Sequence, residues 1–440
     1  MRLRGNLRPV RYTSELIIGS IVDLAGVSRA KMVPANRVDV FVTSGMGASP
    51  SWSVFCADDA LAFTEELSAV GDLRLRIAES DLRAVGDDVS WAPATLHELD
   101  GSISAVCSRT ALRRTVQTLA HDNLEARVGH EIEFTLFGGV VAEQWSAYGL
   151  GAALAQESFV RDLLVNAERA QLNIEQFHAE YGLGQFEISL APASPLEAAD
   201  SVITARILIC RTARSHGMAA SFSPMPIVGG SGNGAHQHIS LTRSGKPIFS
   251  AGKQDYGMTE DGAGAVGGLL AHLADLGAVL ASSPLSGLRL QPDTWSGAFI
   301  CWGHENREAA VRFCAESIGN PHGANVEVKV VDASANPYLA TAVILGAMHA
   351  GIAGALTLPP EVSVNPSGLA DAQRAVLSIT RMPTEMGEML QRLRLSEVAK
   401  SVLGDAIIDA MVAVKALERS RCSELDESVL VERLRYAWSA

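Results

Sequence analysis

The sequence predicts an α+β protein, a strand-rich N-terminal part followed by a larger one in which strands and helices alternate. Three observations carry this. Short period-two runs crowd the first hundred residues, the pattern turns helical from Arg109, and five strand-like runs follow with helices between them. A chain of 440 residues is long enough for two or three domains with sizeable cores. The change of period places a boundary near residue 110, giving domains 1–110 and 111–440.

Taken in order, "LIIGSIVD", a turn at "LAG" and "SRAKMV" form a hairpin, with Gly26 supplying the permissive turn backbone. "DLRLRIA" alternates as a short strand, and "TALRRTVQTLAHDN" spaces Leu and Val as an amphipathic helix. The five later runs are "EIEFTLF", "QFEISLA", "HQHISLT", "AAVRFCA" and "VEVKVVD". Among the helices between them, "SPLEAADSVITARILICRTARSHG" is opened by Ser194 and Pro195 and stopped by Gly217. A mostly antiparallel sheet backed by helices is the natural assembly. The stretch 338–358 is apolar and long enough to cross a bilayer. It carries His349, two Thr and three Gly, lacks basic flanks, and begins with Asn336 as cap and Pro337 at the first helical position. A buried core helix is therefore expected, and the C-terminal quarter reads as helical.

Hydrophobic residues make up 48% of the chain and charged ones 19%, with a net charge of −13. That balance argues against sequence-independent nucleic-acid binding, which needs a basic surface. Six cysteines are scattered without a CxxC pair, so neither a disulfide framework nor a zinc site is expected, and a reducing cytoplasm fits. "MRLRGNLRPVRYTSE" is basic but has no apolar run of the kind a secretion signal needs.

Within "GHEIEF", Glu131 and Glu133 stand two apart, so on a strand both carboxylates share a face. Water or a divalent cation can make that tolerable. Similar groups follow: Glu180 in a turn and Glu187 on the strand after it in "HAEYGLGQFEISL", His236 and His238 in "GNGAHQHISL", Glu327 with Lys329 in "NVEVKVVD". Five carboxylates with imidazole form a hard, oxygen-rich donor set suited to Mg²⁺ or Mn²⁺. They exceed the needs of one ion, which suggests two or more ions clamping a polyanion such as a nucleoside triphosphate. Arg289, Arg307 and Arg312 add donor forks matched to phosphate and carboxylate. There is no P-loop and no kinase-type HRD or DFG run, so phosphate chemistry here would use another scaffold. The Gly-rich loop 229–234 could let backbone N–H groups approach a ligand.

These blocks, with "ENREAAVR" and "VEVKVVDASANPYLATAVILGA", resemble in order the signature blocks of the glutamine synthetase family over essentially the whole chain. "GSIVDLAGVSRAKMVP" is similar to that family's small β-grasp domain. The resemblance implies an N-terminal β-grasp domain and a catalytic domain with a curved, mostly antiparallel sheet. Glu133, Glu180 and Glu187 would hold one metal ion, and Glu131, His236 and Glu327 a second, with two or three ions in all. His238, Ser240 and Arg312 would contact nucleotide; Arg289 would bind the substrate carboxylate, with Gly232 and Lys329 beside the substrate. Arg307 and Glu187 would act on the transferring phosphate and the reacting groups. The family couples ATP cleavage to a γ-glutamyl phosphate that an amine then attacks, at sites between subunits of stacked hexameric rings.

The departures from the family's pattern select the amine. Glutamine-forming members carry an Asp in an N-terminal loop and a Glu in a flap, both serving ammonium. Here the loop reads "SGMGASPSW", and Trp295 stands at the flap position. An aromatic ring cannot act as a base, but it can cover a cation or an alkyl chain. Lys329 stands where the family usually has Arg, Asn325 where a basic residue is usual near the phosphates, and Met225 where a Lys is expected. The expectation is an ATP-dependent ligase joining glutamate to a polyamine or other small organic amine. Ammonium-using glutamine synthetase and a non-catalytic sensor or scaffold are the alternatives.

Overall fold

The structure, a computed structural model, describes residues 16–139, 145–320 and 323–440. The basic segment 1–15 lies outside these residues. The expected first hairpin forms from β1 (Leu16–Val22) and β2 (Ser28–Pro34), paired antiparallel. At its turn Gly26 has φ +82°, a left-handed conformation that costs glycine nothing. With β3 (Met46–Ala48), β4 (Leu73–Ile77), β5 (Arg83–Gly86) and β6 (Val89–His97) this hairpin builds a six-stranded sheet. Its order is β2-β1-β6-β4-β3, with β5 on β6, and only β1–β6 is parallel. The helix Val38–Thr43 places Phe41 in the core over this sheet, with Ile17, Leu75 and Ala92.

The second sheet has ten strands, where five runs were expected. They are β7 (Leu124–Phe137), β8 (Ile174–Ala179), β9 (Gln185–Ala193), β10 (Ala219–Ser221), β11 (Gln237–Arg243), β12 (Lys246–Pro247), β13 (Phe299–His304), β14 (Ala309–Cys314), β15 (Asn325–Val328) and β16 (Thr380–Arg381). The order is β16-β13-β14-β15-β11-β7-β9-β8, with β10 on β7 and β12 on β11. All pairs are antiparallel except β13–β14. Both larger strands missing from the expectation lack clean alternation. β13 is buried almost throughout, and β8 is half exposed along most of its length. The run "VEVKVVD" is also shorter than expected, since β15 ends at Val328.

Alternation along β7 decides which side chains meet. Val128, His130, Ile132 and Phe134 are buried towards the helices, and Phe134 lies among Phe159, Phe177, Phe186 and Phe222. Glu131 and Glu133 therefore project from the opposite face. Helices Ser108–His121 and Pro195–Ser215 pack on the core side of β7. The stretch that could be mistaken for a membrane span forms the helix Pro337–Ala353, capped as expected by Asn336, whose Oδ1 accepts from Tyr338 N–H at 3.0 Å and Leu339 N–H at 3.3 Å. It is buried along most of its length, and no helix among the described residues is long and apolar enough to cross a membrane.

The first hairpin is stitched to the second part. Asn336 Nδ2 donates to the carbonyls of Val22 and Asp23 at 3.0 and 3.1 Å, and Trp438 Nε1 to that of Ala25 at 2.9 Å. Asp23 closes the turn from inside, accepting from Ala25 and Val27 N–H at 2.9 Å each and from Arg29 Nε at 2.8 Å.

Candidate active site

Strand register assembles the site. Glu187 on β9 lies opposite Glu133 on β7 and opposite His178 on β8. Glu327 on β15 lies opposite His238 on β11 and Arg312 on β14. Beyond the end of β11, Glu131 N–H donates to His236 C=O and Glu133 N–H to Gly234 C=O, each at 3.1 Å. These rungs hold the Gly-rich loop against the acid-bearing strand. A Cβ on Gly234 would meet His236 Nε2 at 2.5 Å, Arg289 Nη2 at 2.8 Å and Glu133 Oε1 at 3.0 Å, so a side chain there would push these site groups out of place.

Three groups of side chains converge, each with one ligand atom per residue lying within 4.8 Å of the others: Glu131, His236 and Glu327; Glu133, Glu187 and His236; His178, Glu180 and Glu187. All six residues singled out as metal ligands are among them. Oxygen donors with one imidazole per group suit a hard divalent cation, and the mutual repulsion of the acids is the strain such an ion relieves. Burial together with the charges of Glu131, Glu133 and Glu180 pushes the Glu187 carboxyl well above its usual range. Burial acts in the same direction on Glu131, but hydrogen bonds and charge from His236 and His238 outweigh it and hold that group low. Glu327 is likewise opposed by burial, yet Lys329, His236 and His238 bring it down to about 2.

His178 was not singled out in the sequence. Its Nε2 sits 2.7 Å from Glu180 Oε1 and 3.7 Å from Glu187 Oε1. Gln185 was missed as well; its Nε2 bridges Glu133 Oε2 at 3.0 Å and the Gly232 carbonyl at 2.8 Å. Both stand two residues before an acid already chosen, His178 before Glu180 and Gln185 before Glu187, so the period-two argument could have found them.

The expected phosphate and substrate residues fall into two sets. Arg289 is buried, donating to Val330 C=O at 3.2 Å and Lys329 C=O at 2.9 Å, with Nη2 3.2 Å from His236 Nε2. Gly232 is in the loop beside it. Arg312 reaches Glu327 Oε2 at 3.1 Å and also pairs with Glu305, while Lys329 Nζ meets Glu327 Oε1 at 2.9 Å. Asn325 Oδ1 accepts from His238 Nδ1–H at 2.8 Å, fixing that ring. Ser240 follows on the same face of β11, half-buried. Arg307 is different: it is exposed in the turn between β13 and β14.

An aromatic rim borders the acids. Tyr148 stacks on His178 with ring centroids 6.1 Å apart, and Tyr181 meets Trp295 edge-on at 5.6 Å. Trp295 is 44% exposed and held at φ +55°, its N–H donating to Glu308 Oε1 at 3.1 Å. The acid-free "SGMGASPSW" loop contains β3, an edge strand of the N-terminal sheet.

Comparison with known proteins agrees with this geometry. Residues 105–433 match the glutamine synthetase catalytic domain model. The chain is 35% identical over 434 residues to a gamma-glutamylpolyamine synthetase of Streptomyces coelicolor, covering 96% of this chain and 93% of the relative. It is 30% identical over 394 residues to a glutamine synthetase of Pyrococcus abyssi, covering 88% and 86%. Among solved structures, a novel glutamine synthase homolog superposes with TM-score 0.87 at 29% identity, covering 97% of this chain and 99% of the other. The GmaS/ADP complex superposes with TM-score 0.82 at 25% identity, covering 95% and 96%.

Proposed function

The chain belongs to the glutamine synthetase family of ATP-dependent ligases, and within it we propose a glutamate–amine ligase acting on a small organic amine, with polyamines the leading class. The observation that carries the choice of amine is the rim, where Tyr181 and Trp295 meet beside carboxylates. Aromatic faces and acids together suit an alkylammonium, whose charge and carbon chain both need a partner. The 35% identity to a gamma-glutamylpolyamine synthetase supports the same reading.

In this reading Glu131, Glu133, Glu180, Glu187, His236 and Glu327 hold two or three Mg²⁺ or Mn²⁺ ions, with His178 supporting Glu180 and Glu187. When bound, the ions supply positive charge to the polyphosphate. Arg289 binds the glutamate carboxylate beside Gly232 and Lys329, while His238, Ser240 and Arg312 line the nucleotide. A γ-carboxylate oxygen of glutamate attacks the terminal phosphorus of ATP, ADP leaves, and Arg307 would meet the transferring phosphoryl oxygens. The amine nitrogen then attacks the γ-carbonyl carbon, and inorganic phosphate departs with the amide formed. Stacked hexameric rings in the cytoplasm complete the proposal.

The experiment is phosphate release from ATP with Mg²⁺ and glutamate, using ammonium and a panel of polyamines, ethanolamine, alkylamines and anilines, with product masses checked. Turnover confined to organic amines supports the proposal. Efficient glutamine formation from ammonium moves the function to that of the Pyrococcus relative, and nucleotide binding without any turnover moves it to a non-catalytic role.

A further inference from the structure

Glu308 has no place in the chemistry described above. It sits just before β14 and is only 7% exposed. Its own N–H donates to Asn306 Oδ1 at 3.1 Å, and its Oε1 accepts from Trp295 N–H at 3.1 Å. Its Oε2 is buried without a hydrogen bond of good geometry, although the Asp293 N–H lies close enough to the carboxyl to favour its charged form. Leaving a carboxylate oxygen buried and unpaired is costly, so a protein that retains one has a donor in store for it.

The neighbouring acids are already engaged. Asp293 accepts from Asn365 Nδ2 at 2.8 Å and Ser367 Oγ at 2.6 Å. Glu305 pairs with Arg312, and Glu361 accepts from Tyr256 Oη at 2.7 Å and His304 N–H at 3.1 Å. That leaves Glu308 with an open acceptor atom on the carboxyl whose other oxygen holds the Trp295 N–H. The Lys329 ammonium, whose charge reaches Glu308, is committed to Glu327.

We propose that Glu308 Oε2 receives the ammonium group of the acceptor amine beneath the Asp293–Gly297 turn, while Trp295 covers the carbon chain. The proposal rests on the amine-ligase reading. It assigns to Glu308 the task for which neither the "SGMGASPSW" loop nor position 295 offers an acid. Burial raises the Glu308 carboxyl above its usual range, which improves it as an acceptor for an alkylammonium proton. In the step, R–NH₃⁺ gives one proton to Glu308 and becomes R–NH₂. Its lone pair forms the C–N bond to the γ-carbonyl carbon as the C–O bond to phosphate breaks, and the second proton leaves with inorganic phosphate. Glu308 then returns its proton to solvent.

The test compares wild type, Glu308→Gln and Glu308→Asp as full chains with Mg²⁺, ATP and glutamate. The attacking amine is 1,4-diaminobutane, a dication at neutral pH, or hydroxylamine, which is neutral there. For Glu308→Gln, kcat/KM with diaminobutane should fall roughly 10- to 100-fold, mainly through KM, as loss of a charge-assisted hydrogen bond implies. The fall with hydroxylamine should be several times smaller, and the deficit with diaminobutane should narrow as pH approaches about 10, where alkylamines lose their charge. Glu308→Asp, which keeps the charge, should recover part of the loss. Equal losses with both amines, or no loss with either, would overturn the proposal and leave Glu308 as a clamp on the turn. Should Glu308→Gln fail to fold, Glu308→Asp decides, since a KM for diaminobutane unchanged from wild type also overturns it. Wild type that forms hydroxamate but no organic amide refutes the amine reading and this proposal with it; amide formation that Glu308→Gln leaves intact refutes Glu308 alone.

Discussion

Glu133 ties the acid-bearing strand to the Gly-rich loop. One carboxylate oxygen accepts from Gln185 Nε2 and from Gly234 N–H, the latter at 2.9 Å, and the other faces His236 Nε2 at 3.7 Å. Glu133→Ala is expected to abolish turnover while circular dichroism and oligomeric state stay as in wild type. Mn²⁺ at about one hundred times its Kd should stabilise wild type by about 2.7 kcal/mol, and the variant by clearly less. Equal gains in melting temperature would remove Glu133 from the metal shell. Trp295→Glu places a carboxylate where the ring now meets Tyr181. The expected result is a shift of relative kcat/KM towards ammonium, about tenfold or more on the scale of one charged contact; an unchanged amine ranking would separate Trp295 from selectivity. Glu131, Glu133, Glu187, His236 and Glu327 were legible because each lies in or beside a short run whose alternation is plain, and Glu180 because it stands in the turn just before one of them. His178 and Gln185 were passed over although the same spacing marks them, and Glu308 in "ENREAAVR" was not singled out. Its burial depends on the Asp293–Gly297 turn folding over it, which no local pattern in the sequence encodes.

At the level of elements, β7 sorts its side chains between two environments, and its core face makes its own testable demand. His130 is buried beside Arg206, and burial with that charge pulls its imidazole down from 6.5 to about 3. The folded state therefore keeps His130 neutral, while the unfolded chain takes up a proton below its ordinary pKa. Stability from this group is complete above pH 6.5 and is lost as pH falls towards 3, by on the order of 1 kcal/mol at pH 5.5. Urea denaturation at pH 7.5 and 5.5 checks the sign: the stability advantage of wild type over His130→Gln should shrink at the lower pH. If it grows, the buried neutral imidazole is the wrong description. The alternation that made β7 readable also explains the strands that were missed. β13 is covered on both faces and β8 is half open, so neither shows the contrast between faces that reveals a strand in sequence.

Across the whole molecule, Asn336 does two jobs. It caps the helix Pro337–Ala353 through Oδ1 and holds the first hairpin through Nδ2. Asn336→Ala removes both, for which about 2–4 kcal/mol is expected from a cap and two buried hydrogen bonds. A calorimetric scan should show a lower melting temperature, with the N-terminal sheet melting first; an unchanged single transition would mean that the two parts are held together mainly elsewhere. The cap itself was visible in the "NP" pair, whereas its second function joins residues more than three hundred positions apart and left no trace in the sequence.

That distance has a consequence for synthesis. The Asp23–Val27 turn leaves the ribosome long before its partners, since Asn336 follows 313 residues after Asp23, and Trp438 follows 413 residues after Ala25. Until they arrive, Leu24 and Ala25, both buried in the finished protein, have no surface to settle on. The nascent hairpin is thus an early apolar protrusion awaiting a late partner, the kind of segment that chaperones shelter and that misassembles when chains crowd. Slowing translation of the second half would lengthen that wait, and aggregation of incomplete chains should begin at this hairpin.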